Sequence, residues 1–527
     1  MRYLVSSLRL SIDEDISTLK AKLCRKLHIS PEDIQKYRVV KEAIDARKKN
    51  SIQFVYTVEV SVQGELRSEI PDVKRIEDLE LPGIIQGSFR MNNRPIIVGT
   101  GPAGMFAGLI LARNGYRPLL LERGPDVENR SEKLKEFWKR GLLDPEANVQ
   151  FGEGGAGTFS DGKLTTRIND QRVSNVLEEF IRAGAPADID YKAKPHIGTD
   201  ILREVIKNIR NEIIRLGGEV RFKSRVDDVI IDSNSCVQGV KVGQDSIDSQ
   251  VVVIAAGHSA RDVYQFLLSR NVKLVSKPFS IGARIEHPQE FIDMAQYGSF
   301  AGHPRLGPAE YQLAFKQGER AAYTFCMCPG GLVVAAASEE GHAVTNGMSY
   351  HARDGINANS AFVVSVGPGD FGSPHPLAGI EFQRKWERAA FEAGDGRYLA
   401  PVQTLGDFID KRVSTAMGKV KPTYMPGVVP YDLNKTLPAF VVDMMLKAIG
   451  EFDKKIKGFA MRDAVLTGVE TRTSAPVRIL RGTGFEAEGI TGLYPAGEGA
   501  GYAGGIVSAA VDGIRVAEAV MAKYKNC

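Results

Sequence analysis

Hydrophobic side chains change their spacing along the chain, and near its beginning the spacing predicts two kinds of element. In Ser51–Val62, apolar residues occupy alternate positions, which is typical of a half-buried β-strand. Leu19, Leu23 and Leu27 recur every four residues, which places them on one face of a helix. Because both patterns fall within residues 1–81, we expect this segment to form a small α+β domain.

Local signals add detail to this first segment. Arg2–Leu10 predicts a strand. Ser30-Pro31-Glu32-Asp33 predicts the start of a helix, because it supplies an N-cap, a proline at the first helical position and acids in the first turn. The basic run Arg47-Lys48-Lys49 predicts a solvated loop, with a nucleic-acid contact as the alternative. Residues 82–94 are expected to form a linker.

After the linker the pattern becomes that of an α/β protein. Pro95–Val98 and Pro118–Glu122 are short apolar runs typical of buried strands, and Pro102–Asn114 between them has helical spacing. Val251–Ala256 predicts another buried strand. Gly489–Lys523 returns to a strand, a glycine-rich turn and a helix.

These patterns predict three further parts of the chain. Residues 95–270 and 481–527 are expected to build one α/β domain from two separate stretches of sequence. The residues between them, 271–480, are richer in mixed strands and loops and are expected to form an inserted α+β domain. Thr199 is expected to cap a long helix over Asp200–Leu216. Three short strands that follow this helix are expected to form a meander.

The composition of the chain argues against nucleic acid and membranes as general binding partners. The chain has 527 residues with 68 basic and 64 acidic side chains, so its net charge of +4 creates no general field for nucleic acid or lipid. No apolar run approaches the ~20 residues of a membrane span, and the beginning of the chain lacks signal-peptide features. The 54 glycines exceed the ~37 that average usage gives, which favours close backbone approaches to a ligand. We expect a cytoplasmic protein.

The residues that often bind metals or form disulfides are sparse and scattered. The five cysteines include no Cys-x-x-Cys and form no disulfide framework. Cys326-x-Cys328 is interpreted as structural, because residues two apart on a strand are at the edge of the separation that a disulfide tolerates. The eight histidines lack metal-ligand spacing, so no metal is expected.

The strongest local signal is PIIVGTGPAGMFAGLILARNGYRPLLLERG at residues 95–124. Gly99-x-Gly101-x-x-Gly104 follows a strand and opens a helix, and a second strand ends in Glu122. In such a unit the first glycine permits the turn, the second lets the backbone approach a pyrophosphate, and the third lets helix and strand pack closely. The helix N-terminus attracts the phosphates, and Glu122 can accept hydrogen bonds from ribose hydroxyls. We interpret the segment as a dinucleotide site.

Two later segments favour FAD over NAD. Val251–Ser259 (VVVIAAGHS) has the form of the strand and turn that passes beside FAD in glutathione-reductase-type flavoproteins. GLYPAGE at 492–498 and GYAGG at 501–505 precede a helix that begins at Ile506. In those proteins the acid, here Glu498, contacts the ribityl or pyrophosphate part of FAD. The helix N-terminus points at the flavin N1/O2 edge, where negative charge develops on reduction. Glutamate at this position is similar to the fumarate-reductase-like branch.

The whole chain resembles a family of bacterial FAD-dependent dehydrogenases, described as NAD(FAD)-utilising. FGEGGAGTFSDGKL (151–164) and GVETRTSAPVRI (468–479) are similar to further signatures of that family. The resemblance implies an α/β fold: a glutathione-reductase-type FAD-binding Rossmann-like domain with an inserted mixed α+β substrate domain and a small N-terminal α+β domain. It also implies noncovalent FAD that exchanges a hydride with an organic small-molecule substrate. NAD(P)H is expected only as a transient reductant, because no second complete GxGxxG occupies a central position.

The expected FAD-binding residues come from the three motifs, from the glycine-rich loop and from one further position. We expect the glycine-rich loop to lie against the flat flavin ring, because only a backbone poor in side chains can approach the ring closely. The alternative is that it is a plain surface loop. Val226 resembles the position whose backbone contacts adenine. The full set is Gly99, Gly101, Pro102, Ala103, Gly104, Glu122, Arg123, Gly155, Ala156, Gly157, Thr158, Val226, Ala256, Gly257, Gly497, Glu498, Gly505 and Ile506.

Two groups are candidates for the substrate site. Arg472, Arg478 and Arg481 suit an anionic substrate, because a guanidinium binds a carboxylate with two hydrogen bonds. Arg284 and His287 form a second candidate pair, in which the histidine is able to donate a proton to a carbanion. A structural salt bridge is the alternative for both groups.

Two other classes of function stay open at this point. Flavoproteins of related fold act on tRNA. An RNA-modification or RNA-binding flavoprotein is therefore the main alternative to an oxidoreductase that acts on a small molecule. A redox-sensing module whose flavin turns nothing over is the third. The balanced charge and the three FAD segments favour the FAD-dependent oxidoreductase over both alternatives.

Overall fold

Three sheets of four or more strands organise the part of the chain that this computed structural model describes, residues 1–66, 69–77 and 86–526. One sheet lies in the N-terminal segment, one is a five-stranded parallel sheet, and one has seven strands. This arrangement confirms the predicted α/β class with an inserted mixed domain and a small N-terminal α+β domain. No helix among these residues is long and apolar enough to cross a membrane.

The N-terminal sheet packs its alternating apolar positions against one helix. Its elements are β1 (Arg2–Ser11), α1 (Thr18–Leu27), β2 (Ile34–Asp45), β3 (Gln53–Val62) and β4 (Val73–Arg75). The strands are antiparallel in the order β2-β3-β1-β4. Val58 and Val60 of the alternating run are fully buried, as is Leu23 from the predicted face of α1. The period-two and period-four patterns therefore meet in one core.

The helix predicted to start near Ser30 does not form. Pro31–Asp33 makes a single 3-10 turn, and β2 begins directly after it. The Asp33 carboxylate accepts a hydrogen bond from the Ser30 amide at 2.9 Å, so the capping signal is present in the turn. The chain then continues as a strand because β2 pairs with β3 along its whole length, which outweighs the local preference for helix.

The predicted linker is partly held to the far end of the chain. The strand β5 (Phe89–Arg90) pairs in parallel with Tyr524–Lys525. The Gly87 amide also donates a hydrogen bond of 2.8 Å to the Met521 carbonyl. The start of the predicted linker, residues 82–85, and the predicted boundary at 81 lie outside the described residues.

The five-stranded sheet is built from short, buried, parallel strands. The elements of this domain that precede the inserted domain are β6 (Ile96–Val98), α2 (Pro102–Arg113), β7 (Leu119–Leu121), α3 (Val127–Arg140), α4 (Arg172–Arg182), α5 (Thr199–Arg215), β8 (Glu219–Arg221), β9 (Asp228–Ile231), β10 (Val237–Val242), β11 (Asp245–Asp248), β12 (Val252–Ile254) and α6 (Arg261–Ser269). The sheet runs in the order Leu493–Pro495, β12, β6, β7, β8.

Two local predictions in this domain are wrong in detail. The predicted meander includes β8, but β8 pairs in parallel with β7 in the large sheet, and the meander is β9-β10-β11. Thr199 begins α5 and does not cap it. Its hydroxyl donates a hydrogen bond of 2.8 Å to the Thr158 carbonyl instead, which ties the helix start to the glycine-rich loop.

The inserted domain is organised by the seven-stranded sheet. Its elements are β13 (Leu274–Ser276), β14 (Phe279–Pro288), α7 (Gln289–Tyr297), β15 (Ala314–Gln317), β16 (Arg320–Cys328), β17 (Leu332–Ala335), β18 (Thr345–Met348), β19 (Asn357–Val366), α8 (Ala378–Ala393), β20 (Ala400–Thr404), α9 (Leu405–Ile409), β21 (Val428–Pro430), α10 (Ala439–Lys455), β22 (Val465–Glu470) and β23 (Val477–Ile479). The strand order is β15-β16-β19-β14-β22-β20-β21, and only β20 and β21 are parallel.

The chain enters and leaves the inserted domain side by side, because β13 and β23 pair with each other. It then returns to the parallel sheet through β24 (Leu493–Pro495), α11 (Ile506–Lys523) and β25 (Tyr524–Lys525). α11 packs closely on α2, since a Cβ on Gly513 would lie 2.1 Å from the Ala103 carbonyl oxygen. The sequence after the inserted domain thus completes the domain that precedes it.

The N-terminal sheet is fixed to the inserted domain. Arg305 of the inserted domain donates hydrogen bonds to the Ile12 and Glu14 carbonyls at 2.8 and 2.7 Å, and its guanidinium lies 4.4 Å from the centre of the Phe54 ring. Apolar residues of both sheets belong to one continuous core. In the exposed turn between β2 and β3, Arg47 of the basic run forms an ion pair with Asp45.

Truncation of Leu23 tests this core. Leu23 is fully buried beneath the N-terminal sheet, so Leu23→Ala should lower the free energy of unfolding of that region by about 2–5 kcal/mol. Ile16, 47% exposed just before α1, supplies the matched control. Ile16→Ala should change stability by no more than about 0.5 kcal/mol. Urea unfolding with hydrogen exchange measures both, and equal effects would contradict the packing described.

Candidate active site

A cavity of about 1300 Å³ lies between the parallel sheet and the seven-stranded sheet. One wall comes from the loops after β6 and β12 and from the start of α11. The facing wall comes from β16 and from Glu470–Thr473 at the end of β22. The volume exceeds the roughly 300–1000 Å³ of ordinary ligand pockets, which leaves room for a dinucleotide and a second molecule.

The three glycines of the first motif differ in what surrounds them. Gly99 has φ +98°, and a Cβ there would lie 2.6 Å from the Ala255 carbonyl oxygen. A Cβ on Gly104 would lie 2.0 Å from the Gly99 carbonyl oxygen. Gly101 has φ −70°, and the nearest atom to its Cβ would be the Gly155 Cα at 3.9 Å. The fold requires the outer two glycines, whereas Gly101 leaves open space on the cavity side.

This space is the observation that fits a pyrophosphate. Gly101 is the N-cap of α2, and the first N–H groups of a helix have no partner within it. Gly257, Gly504 and Gly505 also line the cavity, and a Cβ added to any of them would meet no other atom within 4 Å. Bare backbone therefore faces the cavity at each of the three motifs, which is what a closely held cofactor needs.

Arg130 of α3 holds the glycine-rich loop in place. Its fully buried guanidinium donates hydrogen bonds to five carbonyls within residues 148–155, at distances of 2.6 to 3.2 Å. Burial lowers the pKa of Arg130 to about 10, so the group stays charged at neutral pH. The loop then places Gly155, Ala156 and Gly157 on the cavity wall.

Glu122 lies at the end of β7 as predicted, but its carboxylate is fully engaged by the chain itself. One oxygen accepts hydrogen bonds from the amide and hydroxyl of Thr100, at 2.9 and 2.8 Å. The other accepts from the amides of Gly124 and Gly152, at 3.0 and 3.1 Å. A carboxylate has about four lone-pair sites, so a ribose hydroxyl would have to share one of them. Its contact with ribose stays a prediction.

The expected adenine end of the cavity is lined by Val226 and Arg123. Arg123 forms ion pairs with Glu146 and Asp262, at 2.6 and 2.9 Å, and its guanidinium lies 4.2 Å from the centre of the Phe151 ring. The guanidinium is stacked on Phe151, and its charge is paired with the two carboxylates. Arg123 therefore contributes a fixed part of the cavity wall.

Glu498 lines the cavity after β24. Burial raises its pKa to about 7, although the positive charge of Lys277 acts in the opposite direction. His258, on the neighbouring turn after β12, also lines the cavity. Burial together with the charges of Arg472 and Arg261 lowers the pKa of His258 to about 3, so its imidazole is neutral. Of these two groups, Glu498 is therefore the one whose pKa lies near neutral pH.

The predicted FAD-binding residues converge on this one cavity. All of them line it except Gly104, Thr158 and Gly497. Gly104 packs against Gly99, and the Gly497 amide donates a 2.7 Å hydrogen bond to Asp512. These three support the lining residues from behind. Their roles toward FAD stay predictions.

Arg472 lines the cavity, but its guanidinium is committed to the protein. It donates two hydrogen bonds of 3.2 Å to Glu387 and a further one to Ser338. Glu387 also pairs with the buried Arg261, at 2.8 Å. These positive charges hold the pKa of Glu387 well below its usual range. Arg472 therefore forms the structural salt bridge that was the alternative to substrate binding. A role for Arg472 in substrate binding stays a prediction.

The other two arginines of that group stabilise the segment after β24. Arg481 forms an ion pair with Asp512 and stacks 3.8 Å from the centre of the Tyr502 ring. Arg478 donates a hydrogen bond of 3.3 Å to the Gly501 carbonyl. Neither lines the cavity.

Arg284 and His287 do not form one site. They lie three positions apart on β14 and therefore point to opposite faces of the sheet. Arg284 is fully buried and contacts Glu470 and Asn359. His287 Nε2 lies 2.8 Å from the Phe459 carbonyl, and burial lowers the pKa of the ring to about 4. Neither side chain lines the cavity, so the proposed proton donation by His287 lacks access to a substrate.

Sequence reasoning missed Arg130 behind the glycine-rich loop and the position of Cys326 on the cavity wall. Arg130 lies in a mostly charged helix, where a single inward arginine carries no distinguishing pattern. The spacing of Cys326 and Cys328 indicates a strand correctly. The exposure of Cys326 to the cavity depends on an irregularity of β16 that this spacing does not reveal.

Comparison with known proteins gives the family. Residues 278–473 match a family described as FAD-dependent protein, C-terminal domain-like, and residues 2–61 match a domain of unknown function. A Clostridium beijerinckii protein described as uncharacterized is 52% identical over 526 residues, which cover 99% of this chain and 98% of that protein. The chain belongs to this FAD-dependent family.

Several solved structures resemble this FAD-dependent family member. They include CtdE in complex with FAD, glycine oxidase from Bacillus cereus, and a geranylgeranyl bacteriochlorophyll reductase-like protein from Thermoplasma acidophilum. The identities are 12%, 11% and 13%, and the TM-scores are 0.30, 0.32 and 0.32. The matches cover 81%, 82% and 82% of this chain and 82%, 96% and 77% of those proteins. TM-scores this low carry no argument about the site.

Gly101→Val should abolish FAD binding while the protein still folds. Its backbone has φ −70°, which any residue adopts, and a Cβ there would meet only the Gly155 Cα, at an ordinary contact distance of 3.9 Å. The added methyls therefore enter mainly the space next to the helix N-terminus. Flavin absorbance after reconstitution and the far-ultraviolet spectrum measure the two effects.

Gly104→Val is the matched control for this substitution. Its side chain would collide with the Gly99 carbonyl, so this variant should lose folded structure as well as flavin. A Gly101→Val protein with full flavin occupancy would contradict the assignment of the loop to the pyrophosphate.

Glu498→Gln should stabilise the flavin-free protein at neutral and alkaline pH. Glu498 has a folded-state pKa of about 7 against an ordinary value of 4.5. Below pH 4.5 it is protonated in both folded and unfolded chains and costs nothing. Between pH 4.5 and 7 only the unfolded chain gains by ionisation, so stability falls, and above pH 7 the loss is constant at roughly 3 kcal/mol.

Urea unfolding of wild type and Glu498→Gln at pH 4 and pH 8 measures this difference. The two proteins should agree at the lower pH and differ at the higher one. Other buried carboxyls, such as Glu153, titrate in both proteins and cancel. A difference that is equal at both pH values would refute the raised pKa.

Proposed function

We propose that this FAD-dependent family member is an oxidoreductase that transfers a hydride between an organic small molecule and N5 of noncovalently bound FAD. The observation that carries the proposal is the convergence of three separate stretches of bare backbone on one cavity. The loops after β6 and β12 and the start of α11 all expose glycine backbone to it. Bound FAD supplies the hydride chemistry, and the chain supplies orientation and electrostatics.

Each element has a distinct task in this proposal. The N-terminus of α2 binds the pyrophosphate, with Gly101 as the point of close approach. Gly155, Ala156 and Gly157 support the flat ring system. The N-terminus of α11 places its positive end where negative charge develops during reduction. These tasks need backbone and not side chains, which agrees with the glycines exposed on this wall.

The facing wall of the cavity is the proposed substrate side. Tyr323, Met327 and Thr473 line it and belong to the inserted domain. Substrate bound there would lie between the seven-stranded sheet and the flavin ring, away from bulk water. Glu498 is proposed to hold or release the proton that accompanies the hydride, because its pKa of about 7 leaves both protonation states populated.

Fixed cations beside the cavity support an anionic substrate. Arg472 and Lys163 line the cavity, and Arg261 lies close to Arg472, on the same Glu387 carboxylate. The charges of Arg472 and Arg261 contribute to the lowered pKa of His258, which is consistent with a positive potential on that side of the cavity. NAD(P)H is proposed as the reductant that visits the flavin transiently in the remaining volume.

The purified protein should be yellow and should release FAD on denaturation. The reason is that the proposed FAD is held through backbone contacts, without a covalent link. Absorbance spectra, followed by denaturation and chromatography of the supernatant, identify the flavin.

Anaerobic mixing with NADH and NADPH then tests its reduction. Release of FMN, or a colourless protein that does not take up added FAD, would contradict the proposal. Gly101→Val serves as the flavin-free control prepared in the same way.

A further inference from the structure

β16 carries an irregularity at the two cysteines. Along its ladder with β19, Phe325 pairs with Ala361 and Cys328 with Asn359, so three steps on β16 oppose two steps on its partner. This is a β-bulge, and such bulges re-aim side chains and are common beside active sites. Cys326 within it has φ +46°, a left-handed conformation that is unusual for a residue with a side chain.

The bulge changes the relation between the two thiols. In a regular strand, residues two apart are separated by roughly 6.6–6.8 Å, the upper limit for a disulfide. Here the strand is irregular: the Cys328 thiol lies 3.4 Å from the Cys326 carbonyl oxygen. The two thiols are near enough for each to shift the pKa of the other. Both cysteines are free thiols in the structure. Their closeness is the first requirement for a bond between them.

The two cysteines differ in access to the cavity. Cys326 lines it, on the wall that faces the glycine backbone and Glu498. Cys328 is fully buried behind it. One accessible sulfur with a second sulfur directly behind it is the arrangement of an attacking and a resolving cysteine.

A fixed positive charge stabilises a thiolate at this place. The buried Arg284 donates a 2.9 Å hydrogen bond to the Cys326 carbonyl, and its Nη2 lies 3.6 Å from the Cys328 sulfur. The hydrogen bond from Cys328, together with the charges of Arg284 and Lys163, lowers the pKa of Cys326 to about 7, although burial acts in the opposite direction. The pKa of Cys328 is raised well above its ordinary value. Thiolate character is therefore concentrated on the accessible sulfur.

We propose that Cys326 and Cys328 form a redox-active pair that cycles between dithiol and disulfide and exchanges two electrons with FAD in the cavity. This inference rests on the proposed function for the presence of FAD. In one direction, the two S–H bonds break and the S–S bond forms. The pair loses two electrons and two protons; oxidised FAD would take up both electrons and one proton, and the second proton would pass to solvent. The reverse step restores the dithiol.

Reductive titration measures the proposed electron capacity. The holoprotein is oxidised with diamide, freed of excess reagent and titrated with dithionite without oxygen. Wild type should take up about four electrons per FAD, because flavin and disulfide are each two-electron couples. Cys326→Ser and Cys328→Ser should each take up about two. Cys236→Ser, which removes a thiol in the turn between β9 and β10, should keep the wild-type value.

Peptide mass identifies the bond directly. Trypsin cuts after Arg320 and Arg353 and leaves both cysteines in one peptide, 321–353. After diamide and then alkylation, this peptide should carry no alkyl group and should lack two hydrogens relative to the dithiol form. Prior reduction should allow two alkyl groups to attach.

The outcomes separate this inference from the function on which it depends. Uptake of about two electrons by wild type, or alkylation of both cysteines after diamide, overturns the redox pair even if FAD is bound. A protein without FAD overturns the proposed function, and a disulfide in the same sample would then leave only the electron exchange with FAD refuted. Serine variants that retain flavin spectra and bind wild-type amounts of FAD exclude misfolding as the cause of a lower uptake.

Discussion

One buried guanidinium holds together the wall on which the candidate site depends. Arg130 donates hydrogen bonds to five backbone carbonyls within residues 148–155, three of them in the glycine-rich loop, which has few side chains that could hold it in place. A loop of bare glycine backbone has a high conformational entropy, and without such a clamp it would not keep one shape beside an open cavity. A neutral donor would make weaker hydrogen bonds in this place, whereas a charged one is about twice as strong. The α3 helix thus serves the site through a single side chain.

The same loop is held from two other directions. Glu122 accepts hydrogen bonds from the Gly152 amide, and Thr199 donates one to the Thr158 carbonyl. Burial lowers the pKa of Arg130, and the nearby Glu122 acts in the opposite direction, which favours the charged guanidinium. Ends of α3, α5 and β7 therefore meet at one segment. The geometry of the cavity wall is set by these three elements together with the loop's own glycines, of which Gly152, Gly154 and Gly155 have positive φ.

Local sequence patterns predicted the parts of the fold that depend on local physics. Gly99 and Gly104 occupy positions where a Cβ would collide with backbone, and this requirement is visible in the sequence as a spaced glycine motif. Leu19, Leu23 and Leu27 likewise show their helix face directly. Ser30 shows the limit of this approach, since its capping signal is satisfied by a turn and long-range pairing with β3 makes the next residues a strand.

The rest of the site depends on contacts between residues that are distant in the sequence. The spacing of residues along the chain does not reveal such contacts. His287 looks chemically suited to catalysis, but the pleat of β14 turns it away from the cavity, against Phe459. Arg472 looks free in sequence and is committed to Glu387 by the fold. Cys326 reaches the cavity because β16 gains one residue relative to β19. In each case, the position of the residue in its strand or a partner from another element determines whether its side chain can act in the cavity.

The pairing of β13 with β23 has a consequence for synthesis of the protein. β24 and α11 follow the inserted domain in the sequence, so a ribosome makes them only after it has translated every strand of the seven-stranded sheet. Until then the parallel sheet lacks the strand beside β12, and the cavity lacks Glu498 and the start of α11. The substrate wall is therefore translated before the dinucleotide wall is complete. The place expected for the nucleotide is therefore complete only after β24 and the start of α11 have been translated, which follows the translation of the whole inserted domain.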